Sequence, residues 1–319
     1  MQTLRALEGS HYPLLELIIL DAGEERLRDA DLHAFPGLNI RYYSSMPASV
    51  CMQRNAGVRM AGGELVFLCD DDIEAPADYL QKLVEHMQSH PECGAVSGMV
   101  LQQEQGSWVG AYPLVSARQL IRHFVFGTSI WGPVQVKSNA WPVRQLKKYY
   151  REKGNHLTRA GWPVLTQFEG TYVQTPTFGL GAALLRRSWL LQCPYDEVLD
   201  PHGIGDHYGV AVSLPAPVHV LPAAKVFHHR EQQNRLQRPL QYYRRALALD
   251  HFRKNMKGPQ RPAKFWLLWS LAGNFSGFCL VGDWQMLRPS WKAFRLILLN
   301  RNPYRLAAKA GRKRVQATL

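Results

Sequence analysis

Two short apolar runs constrain this chain more than any other feature. Residues 15–20 (LELIIL) stop at Asp21-Ala22-Gly23, and residues 64–69 (ELVFLC) empty into Asp70, Asp71 and Asp72. Runs of this length, apolar almost throughout and ended by turn-forming residues, are the pattern of strands buried on both faces. Helical patterns separate them. Ser49 can cap a helix that passes through Arg54 and Asn55 and closes at Gly62-Gly63. After Pro76, a natural helix start, Leu80, Leu83, Val84 and Met87 repeat at i, i+3, i+4 and i+7 until His90-Pro91 stops them. With residues 39–43 and 95–97 as further strands, the first hundred residues read as an α/β unit around an open, parallel sheet. Ligands of such sheets bind beyond the carboxyl ends of the strands, where Asp21 and the acidic run fall.

The rest of the chain is built differently. Residues 101–175 are rich in aromatic, basic, Gly and Pro residues and read as helices and long loops. Small apolar residues return at 178–185, and residues 218–221 and 225–228 look like short strands. Residues 238–256 are helical and basic, and residues 265–282 carry no charge at all. That last stretch is barely long enough to span a bilayer, which needs about 20 residues. Basic residues flank it at Arg253, Lys254, Lys257, Arg261 and Lys264, then at Arg288, Lys292 and Arg295. Two readings stand: helices lying at an anionic interface, or a buried core helix.

Charge is divided along the chain. Residues 1–100 hold 7 Lys and Arg against 15 Asp and Glu, a balance of −8, whereas residues 101–319 hold 31 against 10, or +21. From Lys225 onward the count is 20 basic to 3 acidic. A surface that basic attracts polyanions, either nucleic acid or an anionic membrane leaflet, but no nucleic-acid module accompanies it. The 319 residues, 46% hydrophobic and 20% charged, exclude a polytopic membrane protein and a disordered chain alike. The five cysteines are widely spaced with no C-x-x-C pair, which indicates neither a disulfide scaffold nor a zinc knuckle and fits a cytoplasmic compartment. The first residues lack a secretory signal pattern.

Three consecutive carboxylates leaving a hydrophobic strand repel one another, and a divalent cation relieves that repulsion. Hard, oxygen-seeking Mg²⁺ or Mn²⁺ shared with phosphate oxygens is the natural guest. A solvated acidic loop capping the next helix is the alternative.

The ordered set Glu16-Leu-Ile-Ile-Leu-Asp21, Arg54-Asn55-Ala56-Gly57, Ala61-Gly62-Gly63-Glu64-Leu-Val-Phe-Leu-Cys69-Asp-Asp-Asp72-Ile, Pro76 and Tyr79-Leu80 resembles family 2 glycosyltransferases of the GT-A fold. A looser match continues through residues 179–185, Tyr195-Asp196-Glu197, Gly205-Asp206 and Val226-Phe227-His228. The resemblance implies a GT-A-like fold, with a mostly parallel central sheet flanked by helices and a basic helical C-terminal extension. It implies a nucleotide-sugar donor, Mg²⁺ or Mn²⁺, and an inverting transfer. The acidic run is similar to the D-x-D element that binds the metal gripping the donor diphosphate. By its distance to Ile73 and Pro76, Asp71 matches the metal-binding aspartate, while Cys69 stands where the first aspartate commonly is; a literal D-x-D selects Asp70 and Asp72. Asp21 matches the acidic strand end near the nucleoside, with Ala22 where Asp or Asn is common, and Arg54 and Asn55 match the helix beside the donor. Asp206 matches the general base, although Gly205 replaces the usual preceding Glu. His228 resembles the histidine that joins the metal or the diphosphate.

The expected division is residues 1–235 as the nucleotide-sugar and transfer domain, with 101–175 as an insert or acceptor region, and residues 236–319 as a basic helical region able to lie on a membrane. The family also begins with a strand that this sequence lacks, so residues 1–9 read as the end of the helix that follows it. The expectation is some 20–30 further residues upstream, as a strand-and-helix unit requires. An anionic membrane and a glycan or lipid-linked acceptor are the expected partners, and nucleic acid is not. Location is expected in the cytoplasm, peripheral on the cytoplasmic face of the membrane. The competing function is a catalytically silent scaffold of the same fold, favoured by Ala22, Gly205 and the lacking strand.

Overall fold

The computed structural model describes residues 1–311 apart from 15, 45, 180, 200, 230–235, 255 and 257–261. Of the expected strand at 15–20, residue 15 lies outside the described residues and the strand itself starts at Leu17; the flanking Lys257 and Arg261 also lie outside the described residues. The chain opens with α1 (Gln2–Glu8), β1 (Leu17–Leu20), α2 (Asp29–His33) and β2 (Ile40–Tyr43). Next is α3 (Val50–Met60), capped as its sequence requires: the Ser49 hydroxyl accepts the Met52 N–H. β3 (Leu65–Cys69) runs into the acidic turn and β4 (Ile73–Glu74). α4 (Tyr79–Ser89) then buries Leu80, Leu83, Val84 and Met87, the stripe its spacing set out.

β5 (Ala95–Glu104) folds back through Gly106 into β6 (Ser107–Val109). Residues 101–175 continue with α5 (Ala117–Phe126), β7 (Ile130–Trp131), α6 (Trp141–Lys153), β8 (His156–Leu157), β9 (Pro163–Leu165) and β10 (Val173–Thr175). The three strands in the middle form a small sheet of their own, in the order β7-β9-β8. Leu120, Val143, Tyr150 and Val164 close a separate apolar cluster there. β11 (Ala182–Arg186), α7 (Arg187–Gln192), α8 (Asp206–Ser213) and β12 (Val218–His228) complete the main layer. The two short strands expected at 218–221 and 225–228 are one strand. Its register shifts between Leu221 and Lys225, where Pro222 can donate no hydrogen bond.

The main sheet runs β10-β12-β5-β11-β3, with β4 paired to β12 and β6 to β5. The α/β, GT-A-like expectation holds, but the sheet is mixed. β5 and β12 are parallel, whereas β11 runs antiparallel between β5 and β3, and β10 is antiparallel to β12. Strand direction leaves no mark on an apolar run buried on both faces, so the pattern could not give it. β1 and β2 pair in parallel as a separate two-stranded sheet. All eight of their residues are only partly buried.

The tail comprises α9 (Arg238–Phe252), α10 (Lys264–Val281), a 3-10 turn at Trp284–Met286, α11 (Leu287–Leu298) and α12 (Pro303–Lys309). No helix among the described residues is long and apolar enough to cross a membrane. α10 buries one stripe, Leu267, Ser270, Leu271, Gly273 and Gly277, and exposes Phe265, Trp269, Leu280 and Val281. Its glycines admit α5: a side chain at Gly273 would strike Phe126, and one at Gly277 would strike Arg122. The tail shares the largest apolar cluster with the sheet, since Leu247, Leu271, Ala293, Ile297 and Tyr304 join Leu185 and Leu199 in it. Asp250 of α9, fully buried, accepts from Asn302 Nδ2 (2.9 Å), Arg305 (3.2 Å) and Arg253 (3.3 Å), which fastens α12 down.

Candidate active site

The acidic turn leaves β3 at the centre of a converging group. Asp70 is held by backbone first: its N–H donates to the Gly181 carbonyl at 3.0 Å. Gly181 has φ 72°, and a side chain there would run into the Asp70 carboxylate, so glycine is required at that approach. From α3, Arg54 reaches across. One guanidinium nitrogen donates to Asp70 Oδ1 at 2.6 Å and the other to Asp206 Oδ2. The Tyr195 ring lies 5.4 Å beneath the same guanidinium. Burial opposes the charge on Arg54, but the Asp206 and Asp70 carboxylates prevail and raise its pKa further.

Asp206 is the first residue of α8, and its Oδ1 also accepts the His207 N–H at 2.7 Å. Burial pushes its carboxyl up to about 6, against the pull of the Arg54 guanidinium. Such a group changes protonation near neutrality, as a proton acceptor in catalysis must. The departure at Gly205 has a local cause. Gly205 carries φ 99° at the start of α8, and a side chain there would press on Ala248 of α9.

On the other flank, β12 ends beside the acidic turn. His228 Nε2 lies 3.0 Å from Asp72 Oδ2, and the Asp72 carbonyl accepts the His229 N–H at 2.9 Å. His228 Nδ1 is buried without a hydrogen-bond partner among the described residues. A second pair, His229 Nε2 and Glu74 Oε2 at 2.6 Å, lies alongside. Asp71 is exposed, and its carbonyl accepts the Thr3 hydroxyl of α1 at 2.5 Å. Asp72 and His228 offer the mixed O/N donors that suit Mn²⁺ or Mg²⁺, with Asp71 next to Asp72 in the chain, and the orphaned, buried Nδ1 marks this histidine as incompletely satisfied among the described residues.

The structure thus brings Arg54, Asp70 and Asp206 together and pairs Asp72 with His228. Asp21 stands apart from these contacts, at the end of β1. Its Oδ1 accepts the Gly23 N–H at 2.7 Å and its Oδ2 the Tyr42 hydroxyl at 2.7 Å. α3 links it to the rest, because Gln53 Nε2 donates to the Leu20 carbonyl at 2.7 Å while the next residue reaches Asp70. Asn55 faces elsewhere. Its amide donates to the Tyr195 carbonyl (2.9 Å) and Glu197 Oε1 (3.0 Å) and accepts the Tyr195 N–H (2.9 Å). It clamps the loop that carries Tyr195, and its contacts are with that loop instead of with the acidic turn. Sequence reasoning missed Tyr195 as the shelf under Arg54, Thr3, and the His229–Glu74 pair. Tyr195 lay in the looser match at 195–197, which gave no hint of its place under Arg54, and a second histidine follows His228 in the sequence.

Comparison with known proteins follows this geometry. Residues 2–160 match the family described as glycosyl transferase family 2. Over 114 residues the chain is 25% identical to the glucosyl-dolichyl phosphate glucuronosyltransferase of Haloferax volcanii, covering 35% of this chain and 35% of that protein. The chain thus spans about a third of the length of that curated relative. Among solved structures it is similar to S. aureus TarS 1-349 in complex with UDP-GlcNAc, at TM-score 0.52 and 11% identity, over 98% of this chain and 88% of that one. The complex of the same TarS region with UDP gives TM-score 0.51 and 12% identity, over 98% and 87%. These likenesses speak for the fold, a GT-A arrangement.

Proposed function

The chain belongs to glycosyl transferase family 2, and from that premise we propose that it moves a sugar from a nucleotide-sugar donor to an acceptor hydroxyl, with inversion at the anomeric carbon. The observation that carries this reading is the single guanidinium of Arg54 gathering half-exposed Asp70 and buried Asp206, which are far apart in sequence, into one group next in the chain to Asp72, which pairs with His228. Asp206 takes the proton of the acceptor hydroxyl as its oxygen forms the new bond to the anomeric carbon and the bond to the donor diphosphate breaks. Arg54 positions that carboxylate and supplies fixed positive charge near the leaving phosphates. Asp71, Asp72 and His228 are the residues that would hold Mg²⁺ or Mn²⁺, which when bound neutralises charge on the diphosphate. Asp21, at the end of β1, lies toward the nucleoside.

The acceptor is a glycan or a lipid-linked glycan in the assembly of a surface polysaccharide or glycolipid. Two features support a lipid-linked one at the cytoplasmic face of a membrane. Trp269, Trp284 and Trp291 are exposed on the tail helices. A cavity of about 350 Å³ on α11 is lined by Arg288, Lys292, Arg295 and Arg301 with Trp291 and Leu299, a cationic rim over apolar walls that fits an anionic headgroup. The silent-scaffold reading draws support from the separation of the β1–β2 sheet from the main sheet. Donor turnover separates the two. Asp206→Asn keeps shape and removes basicity, and should cut transfer by ~10²–10⁴-fold at unchanged donor affinity. Wild-type protein that turns over no donor, with any acceptor tried, favours the scaffold.

A further inference from the structure

At the opposite end of the sheet, three side chains from separate segments meet: His86 on α4, Cys93 in the turn before β5, and His219 at the start of β12. One potential ligand atom of each lies within 4.8 Å of the other two. His86 Nε2 and His219 Nδ1 face each other at 2.9 Å. Cys93 is fully buried, His219 nearly so, and His86 half-buried. His219 and His228 of β12 stand opposite Val96 and Gln102 of β5, so this cluster stands about 20 Å from the Asp72–His228 pair at 3.3 Å per residue.

We propose that His86, His219 and Cys93 form a binding site for a borderline-soft divalent transition metal of the Zn²⁺ class. Two imidazoles and a thiolate select such an ion over Mg²⁺, Mn²⁺ or Ca²⁺, which prefer oxygen. Three protein ligands leave a fourth position for water, and the rings of His90 and Tyr172 pack against the two imidazoles. The Tyr172 ring lies 4.5 Å from that of His219 and 5.0 Å from that of His86. Zinc-to-ligand bonds of about 2.0–2.3 Å place ligand atoms roughly 3.5 Å apart, so binding opens the facing imidazoles by about half an ångström. As the metal enters, the proton between them moves to the other nitrogen of its own ring, so that both imidazoles stay neutral, and the thiol proton leaves to solvent.

The surroundings hold the ligands in place, as a metal site's outer shell does. Arg186 donates to the carbonyls of Met87 (2.9 Å), Cys93 (3.0 Å) and His90 (3.3 Å), pinning the turn that carries the sulfur. His219 sits in register with Val96 of β5 and Gln174 of β10. Burial pushes the Cys93 thiol up to about 11, against backbone hydrogen bonds at Ala95 and His219, so it is the entering cation that draws off the proton. Burial keeps both imidazoles neutral and therefore able to ligate. The bound ion staples the end of α4 to the two strands at this edge of the sheet.

The test uses the full chain, stripped with chelator and titrated with Co²⁺ while the thiolate-to-cobalt charge-transfer absorption is followed. The expected result is a band that saturates, disappears when Zn²⁺ is added, and is accompanied by a rise in Tm with Zn²⁺. Cys93→Ser should lose the band, whereas Cys69→Ser and Asp72→Asn, at the other end of the sheet, should keep it. His86→Gln, at a half-buried position, should weaken Co²⁺ affinity by at least about tenfold and serves if Cys93→Ser does not fold. A wild-type chain without the band, a band that survives Cys93→Ser, or one unaffected by His86→Gln would overturn the proposal.

Discussion

The two ends of the central sheet carry opposite chemistry. At the end where β3 and β12 finish, carboxylates dominate: Asp70, Asp71, Asp72 and Asp206, with the His228 imidazole beside Asp72 and the Arg54 guanidinium between Asp70 and Asp206. At the end where β5 and β12 begin, two imidazoles and a thiol gather with no carboxylate among them. The first suits a hard cation and phosphate oxygens, the second a borderline-soft one. The acidic end is also open to solvent at Asp71, whereas Cys93 and His219 at the other are buried. On the two proposals, one sheet would offer a reaction site at one end and a structural fastening at the other, and a strand shared by both, β12, fixes their separation.

The largest effect that could break this contrast is at Asp206. If the acidic end performs the chemistry, Asp206→Asn lowers transfer per folded molecule by ~10²–10⁴-fold in a steady-state assay. Full turnover in that variant would move the base elsewhere. pH dependence sharpens the same point. The free carboxylate is the working form, and burial pushes its pKa up to about 6, so kcat/KM should fall about tenfold per unit as pH drops below 6 and level off above it. A profile flat from pH 5 to about 8 would contradict the assignment.

Stability comes next in size. Arg54→Ala leaves two carboxylates, one of them buried, without their shared cation, and should cost about 3–5 kcal/mol in a urea melt. Asp250→Ala, which uncouples α9 from α12, should cost a similar amount while leaving transfer per folded molecule intact. Equal losses of transfer in both variants would mean that Arg54 acts through folding alone. The smallest effect is on the basic tail. Replacing Arg288, Arg295 or Arg301 by Gln should each weaken binding to anionic vesicles by about 1 kcal/mol at low salt, with the effect fading as salt is added. Vesicle sedimentation that ignores all three would leave the tail helices a packing device only.

How much of this was written in the sequence depends on distance along the chain. The acidic run is contiguous and follows an apolar strand, so its position at a strand end could be read directly. α4 and α3 were legible for the same reason, since spacing and the Ser49 cap are local signals. Asp206 and His228 were reachable only through resemblance, because nothing near them reports that Arg54 or Asp72 will arrive. The antiparallel course of β11 and the fusion of two short strands into β12 depend on pairing partners, which an apolar run does not name. The cluster of His86, Cys93 and His219 had no spacing signature at all: His219 lies more than a hundred residues from the other two and meets them only because β12 lies parallel to β5. Asn55 shows the converse, a residue whose motif pointed to the donor but whose amide is taken up by the loop at Tyr195.

The central claim is that the carboxylates at the end of β3 and the residues gathered there bind a nucleoside diphosphate through a hard divalent cation. Calorimetry with UDP and GDP, first in EDTA and then with Mg²⁺ in excess, tests it most directly. The account predicts binding of one of them with Mg²⁺, at least about tenfold weaker in EDTA, and loss of the Mg²⁺ effect in Asp72→Asn. Equal affinity in EDTA and Mg²⁺, or an Asp72→Asn variant that responds to Mg²⁺ like the wild type, would contradict it.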